Sequence, residues 1–144
     1  MIRLSTAGLV YKKPVISLDA SVTTLAVAGA KIDETLDGVN LIPHLTGQAK
    51  GDPHKQLFWQ FWGQAAIREG DWKYLYSGRG ARMLFNFNTP EHVRKDLIKD
   101  HPVLASKLKE KLAKWRQKNL RSGLPTEAQC DREHQWYQFY FGEK

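Results

Sequence analysis

The sequence predicts an α+β chain. A small antiparallel sheet of about four strands packs against a long helix near the C terminus, and a helical segment precedes the sheet. Three observations carry this. Residues 57–77 alternate bulky side chains around Gly70, the period of paired strands. Leu104, Leu108, Leu112 and Trp115 recur at helical spacing and form one apolar stripe. Leu18, Val22 and Leu25 share one helical face earlier in the chain.

Residues 1–13 show no period. Ser17 stands at an N-cap position, Asp19 in the first turn suits the positive end of the helix dipole, and Gly29 supplies a stop. Thr23 and Thr24 lower helix propensity, so packing has to hold this helix. Residues 32–52 form a connection with a short helix near 41–45, closed by Gly47. Residues 48–53 read as an exposed loop and a boundary.

From Lys55 the signal turns to β. Leu57, Trp59 and Phe61 point to one face, and Phe58, Gln60 and Trp62 to the other, which predicts a strand covered on both sides. Trp72, Tyr74 and Tyr76 alternate with Lys73, Leu75 and Ser77 in its partner, and Gly70 can take the positive φ of a tight hairpin. Residues 77–81 form a second turn and 82–87 a third strand. Asp100 is placed to cap the long helix, with Pro102 near its first position and Gly123 and Pro125 beyond its end. The β-prone run 136–141 offers a fourth strand.

Composition narrows the function classes. No apolar run approaches the ~20 residues that cross a bilayer. One cysteine, Cys130, cannot build a disulfide framework and leaves the redox compartment open. The net charge of +7 is concentrated in residues 107–121, with seven basic residues against one acid. Those cations surround a regular apolar stripe, the pattern of a solvated surface helix. No nucleic-acid-binding motif accompanies them, which ranks nucleic acid below the other partners.

The five histidines are scattered, with no spacing that fits a zinc site, so no metal ligand is assigned. Asp100-His101 precedes a helix and reads as its start. Residues 77–80 lack the strand, Lys-Ser/Thr and helix of a phosphate loop and read as a turn. Arg68 and Lys73 flank the Gly70 turn strand to strand. Such cations suit a sulfate or an anionic sugar, against the plainer role of solvated sheet residues. Trp59 and Trp62 offer faces for a sugar or aryl ring, against core packing. Gln64 offers a donor to a sugar hydroxyl, and His54, beside the hairpin base, is a further candidate contact.

Several blocks, in order, resemble one family. They are Pro14-Val15-Ile16-Ser17-Leu18-Asp19 with residues 24–30, Leu36-Asp37-Gly38-Val39-Asn40-Leu41-Ile42-Pro43 through Gly47, and the aromatic hairpin at 57–76 with Ile67-Arg68-Glu69-Gly70-Asp71-Trp72-Lys73 at its centre. Leu84-Phe85-Asn86-Phe87-Asn88 with Thr89-Pro90-Glu91 follows, with Asn86 and Thr89 where acids are usual, and then His101-Pro102. Together they resemble the C-terminal region of bacterial formylglycine-dependent, arylsulfatase-like sulfatases, over about residues 13–115. The formylglycine motif of that family, Cys or Ser followed by Pro and Arg at alternate positions, is not in the chain, and Cys130 lacks both partners.

The resemblance implies that residues 1–50 are the tail end of the sulfatase catalytic α/β domain and 51–144 its C-terminal subdomain. It implies a fragment of a sulfuric ester hydrolase that completes the fold and shapes the substrate rim, with Arg68, Lys73, Trp62, Gln64 and His54 as rim candidates. No catalytic residue is assigned within the chain, and the fragment alone is expected to be inactive. Calcium and formylglycine are expected in the missing catalytic domain, which is the expected partner, and a periplasmic or secreted parent is implied. The helix at 18–28 would then expose an apolar face, an expected route to self-association. The alternatives are a stand-alone binding module for sulfated glycans and a basic nucleic-acid-binding module.

Overall fold

A computed structural model describes residues 8, 10–61, 63–77, 80–119, 135 and 139. The chain divides into two compact units, Met1–Lys55 and Gln56–Lys144.

The first unit contains α1 (Leu18–Val27) and α2 (Ile42–Leu45). Ser17 makes no capping bond with its side chain. Asp19 does the work instead: its Oδ2 accepts from the N–H of Ile16, the residue before the cap, at 2.8 Å. The helix stops at a Schellman turn, with Gly29 at φ +69° and Ala30 N–H bonded to the Leu25 carbonyl at 3.0 Å. The expected apolar face is shifted: Val22 is buried, Leu18 is 49% exposed and Asp19 is fully buried. Two side chains one turn apart hold the extended segment that follows. Asp19 Oδ1 accepts from Val39 N–H at 2.8 Å, and Thr23 Oγ1 accepts from Leu41 N–H at 3.0 Å. Gly38 makes this approach possible, because a Cβ there would lie 2.3 Å from the Leu18 carbonyl oxygen.

The second unit is a four-stranded antiparallel meander in the order β1 (Leu57–Phe61), β2 (Gln64–Glu69), β3 (Trp72–Tyr76) and β4 (Arg82–Asn86), followed by α3 (Pro102–Lys118). The aromatic run thus breaks into two strands, with Phe61 paired to Gln64. Among the described residues, the fourth strand comes from this split. In the run 136–141, Phe139 has helical backbone, and the rest of that run lies outside the described residues. The β2–β3 turn has positive φ at Gly70 (58°) and not at Asp71, the pattern of a type II′ hairpin.

Helix α3 packs on the face that carries Ile67, Tyr74 and Leu84, and the buried cluster adds Ala65, Ala105, Leu108 and Leu112. Phe58 stacks on Trp115 with ring centroids 5.0 Å apart. His101, not Asp100, is the N-cap of α3, and it makes no side-chain capping bond. The Trp72 ring meets the His101 ring edge-on at 4.8 Å. Glu69 ties β2 to the helix through Lys111, and it also accepts from Gln56 at 2.6 Å. At the outer edge of β4, Leu84 N–H donates to Asp96 Oδ1 at 2.8 Å and the Leu84 carbonyl accepts from Leu97 N–H at 2.8 Å.

Candidate functional site

The sheet face turned away from α3 follows from the pairing register. Trp59 lies opposite Ala66, which lies opposite Leu75; Phe61 lies opposite Gln64; Arg68 lies opposite Lys73. Because strand side chains alternate, these residues share one face. A cleft of about 230 Å³ on this face is lined by Trp59, Phe61, Gln64, Ala65, Ala66, Lys73 and Leu75. Trp59 is 38% and Phe61 58% exposed, so the outer half of β1 is open on this side, against the expectation of a strand covered on both faces.

The cleft is cationic at one end. Like charges opposite one another across a strand pair repel, so the Arg68–Lys73 pairing costs the free protein stability. Burial is the first cause that pushes the Lys73 ammonium below its usual pKa, and the Arg68 charge is the second. Arg68 is fixed by its neighbours: its Nε donates to the Gly70 carbonyl at 2.9 Å, and its guanidinium lies 4.3 Å from the centre of the Phe87 ring. Among the described residues, no carboxylate pairs with Lys73. An anion seated beside Lys73 would relieve both the repulsion and the burial cost.

Three of the five residues singled out from sequence, Arg68, Lys73 and Gln64, therefore stand on one face. Trp62 lies outside the described residues. His54 belongs to the first unit, where Nε2 donates to both Asp19 oxygens at 2.9 Å and its side chain is 10% exposed. Burial alone would raise the Asp19 pKa. The Ile16 and Val39 N–H groups and His54 together outweigh it and hold the carboxylate below its usual range. Phe61 and Leu75 were not singled out from sequence. The period-two pattern places both beside Lys73 only once the pairing of Phe61 with Gln64 is known.

Among the described residues, no three His, Cys, Asp or Glu side chains converge to hold a metal ion. No helix among them is long and apolar enough to cross a membrane.

No protein-family model and no curated protein matches the sequence. Solved structures do. Ps i-CgsB matches with TM-score 0.65 and 28% identity, over 90% of this chain and 29% of its own. Its complex with k-i-k-neocarrahexaose matches with TM-score 0.64. A phosphonate monoester hydrolase from Silicibacter pomeroyi matches with TM-score 0.63 and 22% identity, over 80% of this chain and 27% of its own. A structure from work on the metabolism of multiple glycosaminoglycans by Bacteroides thetaiotaomicron matches with TM-score 0.55 and 17% identity, over 69% of this chain and 24% of its own. The last two show the fold alone. The chain spans less than a third of the length of each structure it matches.

Proposed function

We propose, from the premise that this chain is built as the C-terminal region of a sulfatase-family protein, that it completes the fold of a sulfuric ester hydrolase and shapes the rim where a sulfated substrate enters. The observation that carries the reading is the cross-strand pair Arg68–Lys73 beside an open aromatic cleft. Lys73 is the anion contact in this reading. Arg68 raises the local positive potential while the Gly70 carbonyl and Phe87 hold it. Trp59 and Phe61 offer apolar faces to a sugar ring, and Gln64 lies at the far end of the cleft.

The chemistry of ester cleavage belongs to the rest of the parent protein, which supplies formylglycine and calcium in this reading. Those groups, held by residues outside this chain, would supply the ester-cleaving chemistry, and the residues named here bind and orient substrate only. The partner of the first unit is that same catalytic domain. Leu18 and Val27, exposed on α1, offer it apolar surface, and a dimer of the purified chain would show that copies can substitute for it. The purified chain is expected not to turn over an aryl sulfate; measurable turnover would overturn the assignment of chemistry to the missing part.

The rim is tested by titrating the full chain with a carrageenan-derived hexasaccharide by calorimetry. Lys73→Gln is expected to weaken binding about tenfold, the scale of one lost charge-assisted hydrogen bond. Unchanged affinity in a folded Lys73→Gln variant would refute the rim reading.

A further inference from the structure

The basic helix has a use that the rim leaves untouched. On the helix-facing side of the sheet, a second hollow of about 170 Å³ opens between β3, β4 and α3. Its rim carries Arg82, Lys109 and Arg116, and its floor is made by Tyr74, Tyr76, Leu112 and Ala113. Lys109, Leu112, Ala113 and Arg116 recur at offsets of three, four and seven, which puts them on one face of α3. Arg82 faces them from the sheet, opposite Tyr76 in the pairing register. Position 113 carries only a methyl group at the lining, so a longer side chain there would intrude on the hollow.

Three cations from two elements thus surround a partly apolar floor, and none of the residues lining it is acidic. Lys111, on the same helix, is neutralised by Glu69, so the helix does not spread its charge evenly. The Arg116 guanidinium lies 5.6 Å from the centre of the Tyr76 ring, which orients it along the wall of the hollow. Guanidinium forks match the oxygens of sulfate and carboxylate, and a tyrosine and leucine floor matches the C–H face of a pyranose. Nucleic acid fits less well: phosphate tracking calls for a continuous basic stripe, and here three cations border one hollow.

We propose that this hollow is a second binding site, which takes one sulfated or carboxylated sugar residue of an acidic glycan. It uses none of the side chains of the open face, so it stands or falls apart from the rim reading. The site would hold a polymeric substrate to the protein at a distance from the reacting ester, an effect that depends on glycan length.

The test is a titration of the full chain with a heparin-derived hexasaccharide in the Lys73→Gln background, which removes the rim contact. It is followed by amide chemical shifts and calorimetry. Shifts are expected at Tyr76, Arg82, Leu112, Ala113 and Arg116. Arg116→Gln should weaken binding about tenfold, whereas Lys118→Gln, the same charge change further along the helix, should change it less than about twofold. Ala113→Leu alters no charge and fills the hollow, and it should abolish the Arg82 and Arg116 shifts in a chain with unchanged circular dichroism. The fully desulfated hexasaccharide separates the two sources: retained binding assigns carboxylate, and lost binding assigns sulfate. Equal losses for Arg116→Gln and Lys118→Gln, or full binding by Ala113→Leu, would reduce the hollow to diffuse basic surface and overturn the site. Tighter binding of a single-stranded oligonucleotide through the same residues would overturn the choice of ligand.

Discussion

The two units are held together by different physics. In the first, among the described residues, Val22 is the only buried apolar side chain, and order comes from a buried carboxylate that accepts from Ile16, Val39 and His54. In the second, seven buried apolar residues form one cluster between sheet and helix, and the polar ties lie toward its surface. A unit organised around one carboxylate concentrates its stability in a few directional bonds. A unit organised around a core spreads it over many contacts, each weak on its own. The first arrangement suits a segment that borrows its apolar partner from elsewhere; the second suits a subdomain with a core of its own.

That contrast can be broken most severely at Asp19. Asp19→Ala leaves two backbone donors and a buried imidazole without their acceptor. It is expected to cost about 3–5 kcal/mol, the range for removing one member of a buried pair. Hydrogen exchange should then show residues 16–41 unprotected while the sheet amides stay protected; equal loss in both units would refute the division. Leu108→Ala removes a side chain with no exposed surface from the other core and should cost about 2–5 kcal/mol. Here the loss should appear in the near-ultraviolet signals of Trp72 and Trp115, read by denaturant melts. Gly38→Ala drives a methyl against the Leu18 carbonyl and should cost about 1–3 kcal/mol, visible as weakened protection of α1 alone.

The smallest effect sharpens the comparison through acid. Asp19 and Glu69 both have depressed pKa values, Asp19 through its backbone and His54 bonds acting against burial, Glu69 chiefly through Lys111. A carboxyl group with a folded pKa below its unfolded one contributes its full stability above the unfolded value. It loses that contribution as pH falls through the folded value. Both contributions are therefore intact at neutral pH and fade below the ordinary carboxylate range, near 3.8 for Asp19 and 4.5 for Glu69. Glu69→Gln, at a half-exposed pair, should cost only about 0.5 kcal/mol at pH 7. It should leave the acid lability of the first unit unchanged, as followed by pH-jump circular dichroism.

Much of the second unit is legible in the sequence because its signals are local. The hairpin follows from Gly70 between alternating aromatics, and α3 follows from Leu104, Leu108 and Leu112. The break between Phe61 and Gln64 is hidden because the aromatic run continues past Phe61, and a lone Gly63 is a weak signal. The first unit is less legible. Asp19 reads as a dipole partner in a first turn, but its decisive acceptances come from residues 20 and 35 positions later, which no local period reveals. For the same reason His54 looks like a surface candidate in sequence and lies against Asp19 in the fold. Lys73, Gln64 and Trp59 share a face through strand alternation, so that part of the candidate site needed only the register.

The bonds at Leu84 have a consequence for the solution behaviour of a chain that spans so little of its relatives. An edge strand with free amide and carbonyl groups is a template on which another chain can add a strand, and repeated addition makes aggregates. On β4 the outward amide of Leu84 is taken by Asp96 and its outward carbonyl by Leu97. An incoming strand would find the middle of that edge already occupied and would have to displace a carboxylate to gain its first bond. Strand addition along β4 is thereby opposed at Leu84, where Asp96 and Leu97 hold both outward groups.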